Sequence, residues 1–339
     1  MGEYRYTFKK FFRDWALVFG MIAGAGLYLI YHSIPALHPA GPVLEAICKR
    51  LQPIMLFCML FLSFCKIEPH QMRPHTWQAW LLLFQTGCFA ILGGLEVWAL
   101  NSGAPFATWI LAHRVPLEAA LICLICPTAT ACAVVTGKLG GNMAGVVTYT
   151  VIINIIVALL IPLFVPIIYP VGGMSFGMAF SKILAKVFPL LIMPCITAWL
   201  VRYLMPKLHK RLLRYTGLSF DIWIVSLALA ILMTTRAIMQ YGGSYIILAE
   251  IAVVSVLCCF IQFWAGKRIG AKYGCRISAG QALAQKNTVF GIWIGYTFFN
   301  PLTSVACGFY IIWQNGFNSW QMYRRRKEQE ASASPLPVE

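Results

Sequence analysis

Ser278-Ala-Gly-Gln-Ala-Leu-Ala-Gln-Lys286-Asn-Thr-Val-Phe-Gly-Ile-Trp-Ile-Gly-Tyr-Thr-Phe-Phe299 is apolar over most of its length, yet it holds a lysine among Gln281, Gln285, Asn287 and Thr288. A helix needs about 20 apolar residues to cross the hydrocarbon of a bilayer. A charge near the bilayer centre costs roughly 2.5–3.5 kcal/mol on insertion scales. Such a residue faces protein or water and marks a pathway or a site. Lys286 lies about eight residues in, roughly 12 Å deep at 1.5 Å per residue, which is awkward for a side chain snorkelling to the interface.

The rest of the chain sets this stretch in a membrane. Of 339 residues, 60% are hydrophobic and 11% charged, and mean hydropathy is +0.73. Soluble domains carry about 25% charged residues. Ten stretches meet or approach spanning length: 15–35, 51–65, 77–98, 115–136, 142–168, 179–204, 218–238, 244–264, 278–299 and 302–322. The second, which starts near Pro53, has the least definite ends. An all-α polytopic membrane protein follows. A β-barrel is excluded, because its strands alternate apolar and polar residues. With the N-terminus in the cytoplasm, twenty of the 27 basic residues fall inside and six outside, with Lys286 left over. The positive-inside rule therefore places both termini in the cytoplasm of an inner (cell) membrane. The net charge of +16 is read as contact with membrane lipid, not nucleic acid.

The order of spans suggests an arm at 1–14, a first five-helix repeat at 15–173, a second at 174–322, and a disordered cytoplasmic tail at 323–339. Five-span halves insert with opposite orientation, so the repeats are inverted. The fourth span of each half is its most interrupted. One holds Cys126-Pro-Thr-Ala-Thr-Ala-Cys132 and the other holds Lys286. Pro127 removes a backbone donor, and the hydroxyls of Thr128 and Thr130 follow it. Broken helices at matching places are the best sequence pointer to a transporter site. Glu96, Glu118, Asp221 and Arg236 lie near span ends and read as interfacial. The twelve cysteines lie mostly in apolar spans and read as buried hydrophobes, and no histidine lies mid-span. A paired acid and base for catalysis is missing, so the chain is read as no enzyme, with a membrane receptor or membrane enzyme as the alternative of another class. No cofactor is expected, and the chain is read as a monomer or homodimer.

These residues resemble the bile acid:sodium symporter family. Its fourth span carries a Cys-Pro-Gly-Gly-Thr-Ala-Ser-Asn-like motif, against Cys126-Pro-Thr-Ala-Thr-Ala-Cys-Ala133 here. Its ninth carries Glu-x-x-x-Gln-Asn, against Gln281-Ala-Leu-Ala-Gln-Lys286, with Asn287 next. Gln85 matches a family glutamine in the third span, and the fifth offers Thr150 and Asn154, one helical turn apart. The resemblance implies a core of spans 3–5 and 8–10 and a panel of spans 1, 2, 6 and 7. Spans 4 and 9 would be broken crossing helices, and a small organic anion (bile acid-like, steroid or carboxylate) would move by alternating access. The substrate and ion site would draw on Gln85, Pro127, Thr128, Thr130, Cys132, Thr150, Asn154, Gln281, Gln285, Lys286, Asn287 and Thr288.

The departures from the family pattern concern sodium. Its serine-asparagine pair is Cys132-Ala133 here, its shared glutamate is Gln281, and its asparagine is Lys286 unless a one-residue shift restores it as Asn287. Gln85, Gln281 and Gln285 remain as vestigial sodium positions, and no metal site is expected. Two unit charges 4 Å apart interact by about 4 kcal/mol at an effective dielectric of 20, so an ammonium here repels sodium. Lys286 is therefore expected to replace sodium as a fixed cation, held by Gln85, Gln281, Gln285, Thr130 and helix-end carbonyls. The alternatives are Lys286 as a proton carrier and ordinary sodium-coupled symport.

Overall fold

The computed structural model describes residues 16–170, 173–215 and 218–333; the arm expected at 1–14 lies outside them. In chain order the helices are α1 (Ala16–Ser33), α2 (Gly41–Cys65), α3 (Thr76–Asn101), α4 (Pro105–Ala112), α5 (Arg114–Ile125), α6 (Cys132–Lys138), α7 (Met143–Ile168) and α8 (Phe176–Leu191). They continue as α9 (Met193–Leu204), α10 (Pro206–Arg214), α11 (Leu218–Met239), α12 (Tyr245–Ala271), α13 (Arg276–Ala284), α14 (Thr288–Phe298) and α15 (Ser304–Ala333). Helix suits a bilayer, since it satisfies its backbone within one segment. Local signals set many starts: proline in the first turn of α2, α4, α9 and α10, where its missing N–H is harmless. Asn142 caps α7 by accepting from the Gly145 N–H at 3.0 Å, and Ser244 caps α12 by accepting from Ile246 at 3.3 Å.

Among the described residues, five helices are long and apolar enough to cross a membrane, and up to seven do so if each of two bent pairs counts once. The five are 35–65, α3, α7, α11 and α12. The bent pairs are α4 with α5, at 69°, and α8 with α9, at 44°. Each of the ten predicted stretches contains helix, but several differ from a simple span. The second begins at Gly41, well before residue 51, because Glu45 pairs with Lys49 and with Arg236, both at 2.6 Å; these contacts let the helix continue through polar sequence. The fourth and ninth stretches are broken in two. The tail expected to be disordered from 323 is helical to Ala333, as an extension of α15 through its basic residues.

The chain divides into two compact units. One contains the described residues of 1–66 and 188–243, and the other those of 67–187 and 244–339. In the first, the buried His209 ring is 2.8 Å from the Cys65 carbonyl, which ties α10 to the end of α2. In the second, α12 and α13 approach so closely that a Cβ on Gly266 would lie 2.6 Å from the Ala279 carbonyl oxygen. Small residues at such crossings let membrane helices pack backbone to backbone. Gly266→Ala should therefore destabilise by about 1–3 kcal/mol, the usual range for overpacking, read as a lower melting temperature in detergent. Gly87→Ala, with nothing within 4 Å of the added Cβ, should leave it unchanged or raised.

Two acids expected at the interface are inside the second unit: Glu96 is 0% exposed and Glu118 1%. Hydropathy placed them at the ends of apolar runs, where protein, not water, surrounds them.

Candidate functional site

α5 stops at Ile125 for a local reason. Pro127 has no N–H, and the residue before a proline avoids helical ψ; Cys126 accordingly has ψ 130°. α13 stops without a proline, at Gln285, which is extended with ψ 92°. α14 restarts at Thr288 because the Asn287 side chain accepts from the Phe290 N–H at 3.2 Å, an N-cap. The two breaks then satisfy each other. The Ala129 N–H donates to the Gln285 carbonyl at 2.8 Å, and the Asn287 N–H to the Pro127 carbonyl at 2.8 Å, around the Thr128–Lys286 bridge. Backbone released by one interrupted helix is used by the other, which is how irregular chain survives at membrane depth.

A helix that ends inside protein leaves its last carbonyls without partners. At α5 these are supplied by side chains from three places. Gln262 donates to the Cys123 carbonyl at 3.3 Å, and the Lys286 ammonium to Leu124 at 3.3 Å. Gln85 donates to Cys126 at 3.1 Å and Ile125 at 3.5 Å, and its own oxygen accepts from the Tyr149 hydroxyl at 3.0 Å. The end of α13 is treated alike. Thr128 donates to Ala282 at 2.6 Å and Tyr310 to Ala284 at 2.8 Å. Gln314 accepts from the Lys286 backbone N–H at 2.9 Å. The Lys286 Nζ thus stands at the negative end of a helix dipole, where a positive charge is favoured. Its side chain is fully enclosed, at 1% exposure. The cysteines around it, Cys126, Cys123, Cys258 and Cys132, are buried neutral thiols, with no acid among them. No ion pair to Lys286 occurs among the described residues. An ammonium has three donors, and this one makes a single hydrogen bond.

The predicted residues separate on this frame. Gln85, Pro127, Thr128, Gln285, Lys286, Asn287 and Thr288 meet at the crossing. Gln281 turns to Asn318, donating at 2.9 Å. Neither Gln85 nor Gln281 holds the ammonium as expected: the Gln85 oxygen accepts from Tyr149, and the Gln281 oxygen accepts from no described group. Thr130 is half-buried and makes no hydrogen bond to Lys286. The Cys132 thiol lies 4.0 Å from the Thr136 hydroxyl, within its own helix. Thr150 donates to the Val146 carbonyl at 2.9 Å, so its hydroxyl serves α7. Asn154 differs: it is 2% exposed, and both polar atoms lack a partner. The Gln281 and Gln285 side-chain oxygens and the Asn287 amide nitrogen are also buried and unmet. Each such atom costs about 1–3 kcal/mol if nothing binds it, so this set fits a site that takes up polar partners.

The sequence reading missed Gln262, Tyr310, Gln314 and Asn318. A signal existed: Gln314 and Asn318 stand one helical turn apart in the tenth apolar stretch, on one face. No curated protein matches the chain. Residues 53–248 match the family model described as the Sodium Bile acid symporter family, a segment that includes the Pro127 break and ends before Lys286. That match covers more than half of the chain, and the protein belongs to the sodium bile acid symporter family.

Proposed function

We propose that this protein is a secondary transporter of a small organic anion, sodium-independent, with Lys286 as the fixed cation of its crossing helices. The observation that carries the reading is the buried, acid-free ammonium on the Leu124 carbonyl. Its position is one a bound cation would occupy to neutralise a helix end. Family membership supports transport and a multi-pass membrane protein. The finer architecture is ten spans in two inverted five-helix repeats, with a panel and a core. The division of the chain supports it: the first unit contains the helices of spans 1, 2 and 7 with the later part of span 6, and the second contains the rest. The basic-residue distribution supports cytoplasmic termini in the cell membrane. Sodium prefers several oxygen ligands, and Cys132 and an ammonium are poor substitutes.

In this mechanism Lys286 stays charged while the two breaks move together, and the anion crosses without sodium. Proton loading of Lys286 is the variant of the scheme. Sodium-coupled symport is the rival, favoured by the unmet oxygens of Gln281 and Gln285. Uptake of a bile acid, a steroid sulfate, pantoate and pyruvate into proteoliposomes, in sodium or choline buffer, decides between them. At least one anion should enter above protein-free vesicles at similar rates in both buffers. A tenfold or larger gain with sodium, about 1.4 kcal/mol of coupling, would overturn sodium independence. No uptake of any anion would overturn the transport reading for this substrate class.

A further inference from the structure

Away from the crossing, the second unit buries two carboxyl groups against one cation. Arg114 Nε donates to Glu96 Oε1 at 2.8 Å, and Glu118 Oε1 lies 2.8 Å from the same nitrogen. The Tyr169 hydroxyl donates to Glu118 Oε1, and the Arg114 guanidinium lies over the Tyr169 ring, 4.5 Å from its centroid. The Asn300 backbone also lies beside Glu118. These groups face the pair from α3, α5, the segment after α7 and the segment after α14. The remaining oxygens, Glu96 Oε2 and Glu118 Oε2, are buried and have no donor.

With both acids ionised, this cluster holds two negative charges and one positive. A net buried charge costs several kcal/mol, and adjacent carboxylates resist joint ionisation. Both carboxyls stand 2.8 Å from one guanidinium nitrogen, and each keeps one buried oxygen without a donor, which a proton on the pair would supply. We infer that Glu96 and Glu118 form a proton-binding site that holds one shared proton, with Arg114 balancing the remaining charge. The proton occupies the place of the missing donor between the two carboxyls, and the cluster becomes neutral. Through Arg114, 29% exposed, the cluster reaches the protein surface.

The site is joined to the crossing by two short helices. Glu118 and Leu124, whose carbonyl holds Lys286, are both on α5, about 9 Å apart at 1.5 Å per residue. α14 starts at the Lys286 break and ends beside Asn300. Release of the proton leaves like charges side by side, which pushes α3 and α5 apart. Proton movement here would be the coupling step of transport, a consequence that rests on the transport reading above.

Infrared difference spectroscopy of the purified protein, without substrate, tests the site directly. Wild type should show the C=O stretch of a protonated carboxyl at neutral pH, shifted in D2O and lost on alkaline titration. Glu96→Gln and Glu118→Gln should each lack it, because one carboxylate paired with Arg114 needs no proton. Absence of the band in wild type overturns the proposal even if both variants fail to fold, as does its persistence in both variants. In proteoliposomes, an imposed pH gradient should drive uptake by wild type and not by folded Glu96→Gln. Equal responses overturn the coupling and leave the infrared result standing. Failure of every anion in wild type counts against the transport reading alone.

Discussion

Lys286→Met should leave the protein folded, with an unchanged or higher melting temperature, and reduce anion uptake to background. The two halves of this outcome come from different physics. A buried ammonium with one hydrogen bond is a poor source of stability, because removing a charge from water costs several kcal/mol. Methionine has a similar length, no charge and enough flexibility to fill the space. Its replacement of the ammonium strands only the Leu124 carbonyl, at about 1–3 kcal/mol. These terms nearly cancel or favour methionine. Transport has no such compensation. A cation about 4 Å from a bound anion contributes about 4 kcal/mol at an effective dielectric of 20, roughly a thousandfold in affinity. The measurements are thermal unfolding in detergent and uptake in proteoliposomes. Uptake near wild type would make the lysine structural. A large fall in melting temperature would mean that it serves mainly to cap α5.

The sequence made the two breaks legible because each has a local chemical cause: a proline that cannot donate and a charge that hydrocarbon rejects. Their pairing was not legible, since the Ala129–Gln285 and Asn287–Pro127 hydrogen bonds join residues more than 150 positions apart through backbone atoms common to all residues. The same limit hid the caps of α5. Gln85 announced itself as a polar residue in an apolar span, but nothing in its identity specified the Cys126 carbonyl as its partner. Thr150 looked like a site residue by type and spacing and spends its hydroxyl on its own helix. Glu96 and Glu118 were misread for a related reason. Hydropathy reports the distance of a residue from an apolar run, and both acids stand near the ends of runs. It does not report the arginine between them, which comes from the bend between α4 and α5 at His113. That bend follows a short apolar helix too brief to register as a span.

Arg114→Met should be among the most destabilising single substitutions in the second unit, by about 3–5 kcal/mol, the usual range when one partner is removed from a buried ionic group. It leaves Glu96 and Glu118 without a counter-charge and loses the bond from Arg114 Nη2 to the Ile168 carbonyl, at 3.3 Å, and the contact with Tyr169. The folded variant can then keep its carboxyls buried only by binding protons that the unfolded chain releases near neutral pH. More protons on the folded state means that stability rises as pH falls, so its melting temperature should recover toward acid pH more than that of wild type. Adding Glu96→Gln should restore part of the loss at neutral pH, since one acid then remains to be neutralised instead of two. This non-additivity is expected of groups sharing one network. Thermal unfolding of wild type, both singles and the double across pH gives the cycle. A loss below about 1 kcal/mol for Arg114→Met, as for a solvent-exposed pair, would place the cluster in water. Failure of Glu96→Gln to recover any stability would mean that the two carboxyls do not compete for the same guanidinium. Recovery at neutral pH is the stricter criterion, because relief by a neutral amide requires that the second carboxylate, and not the loss of packing around Arg114, is what the fold cannot hold.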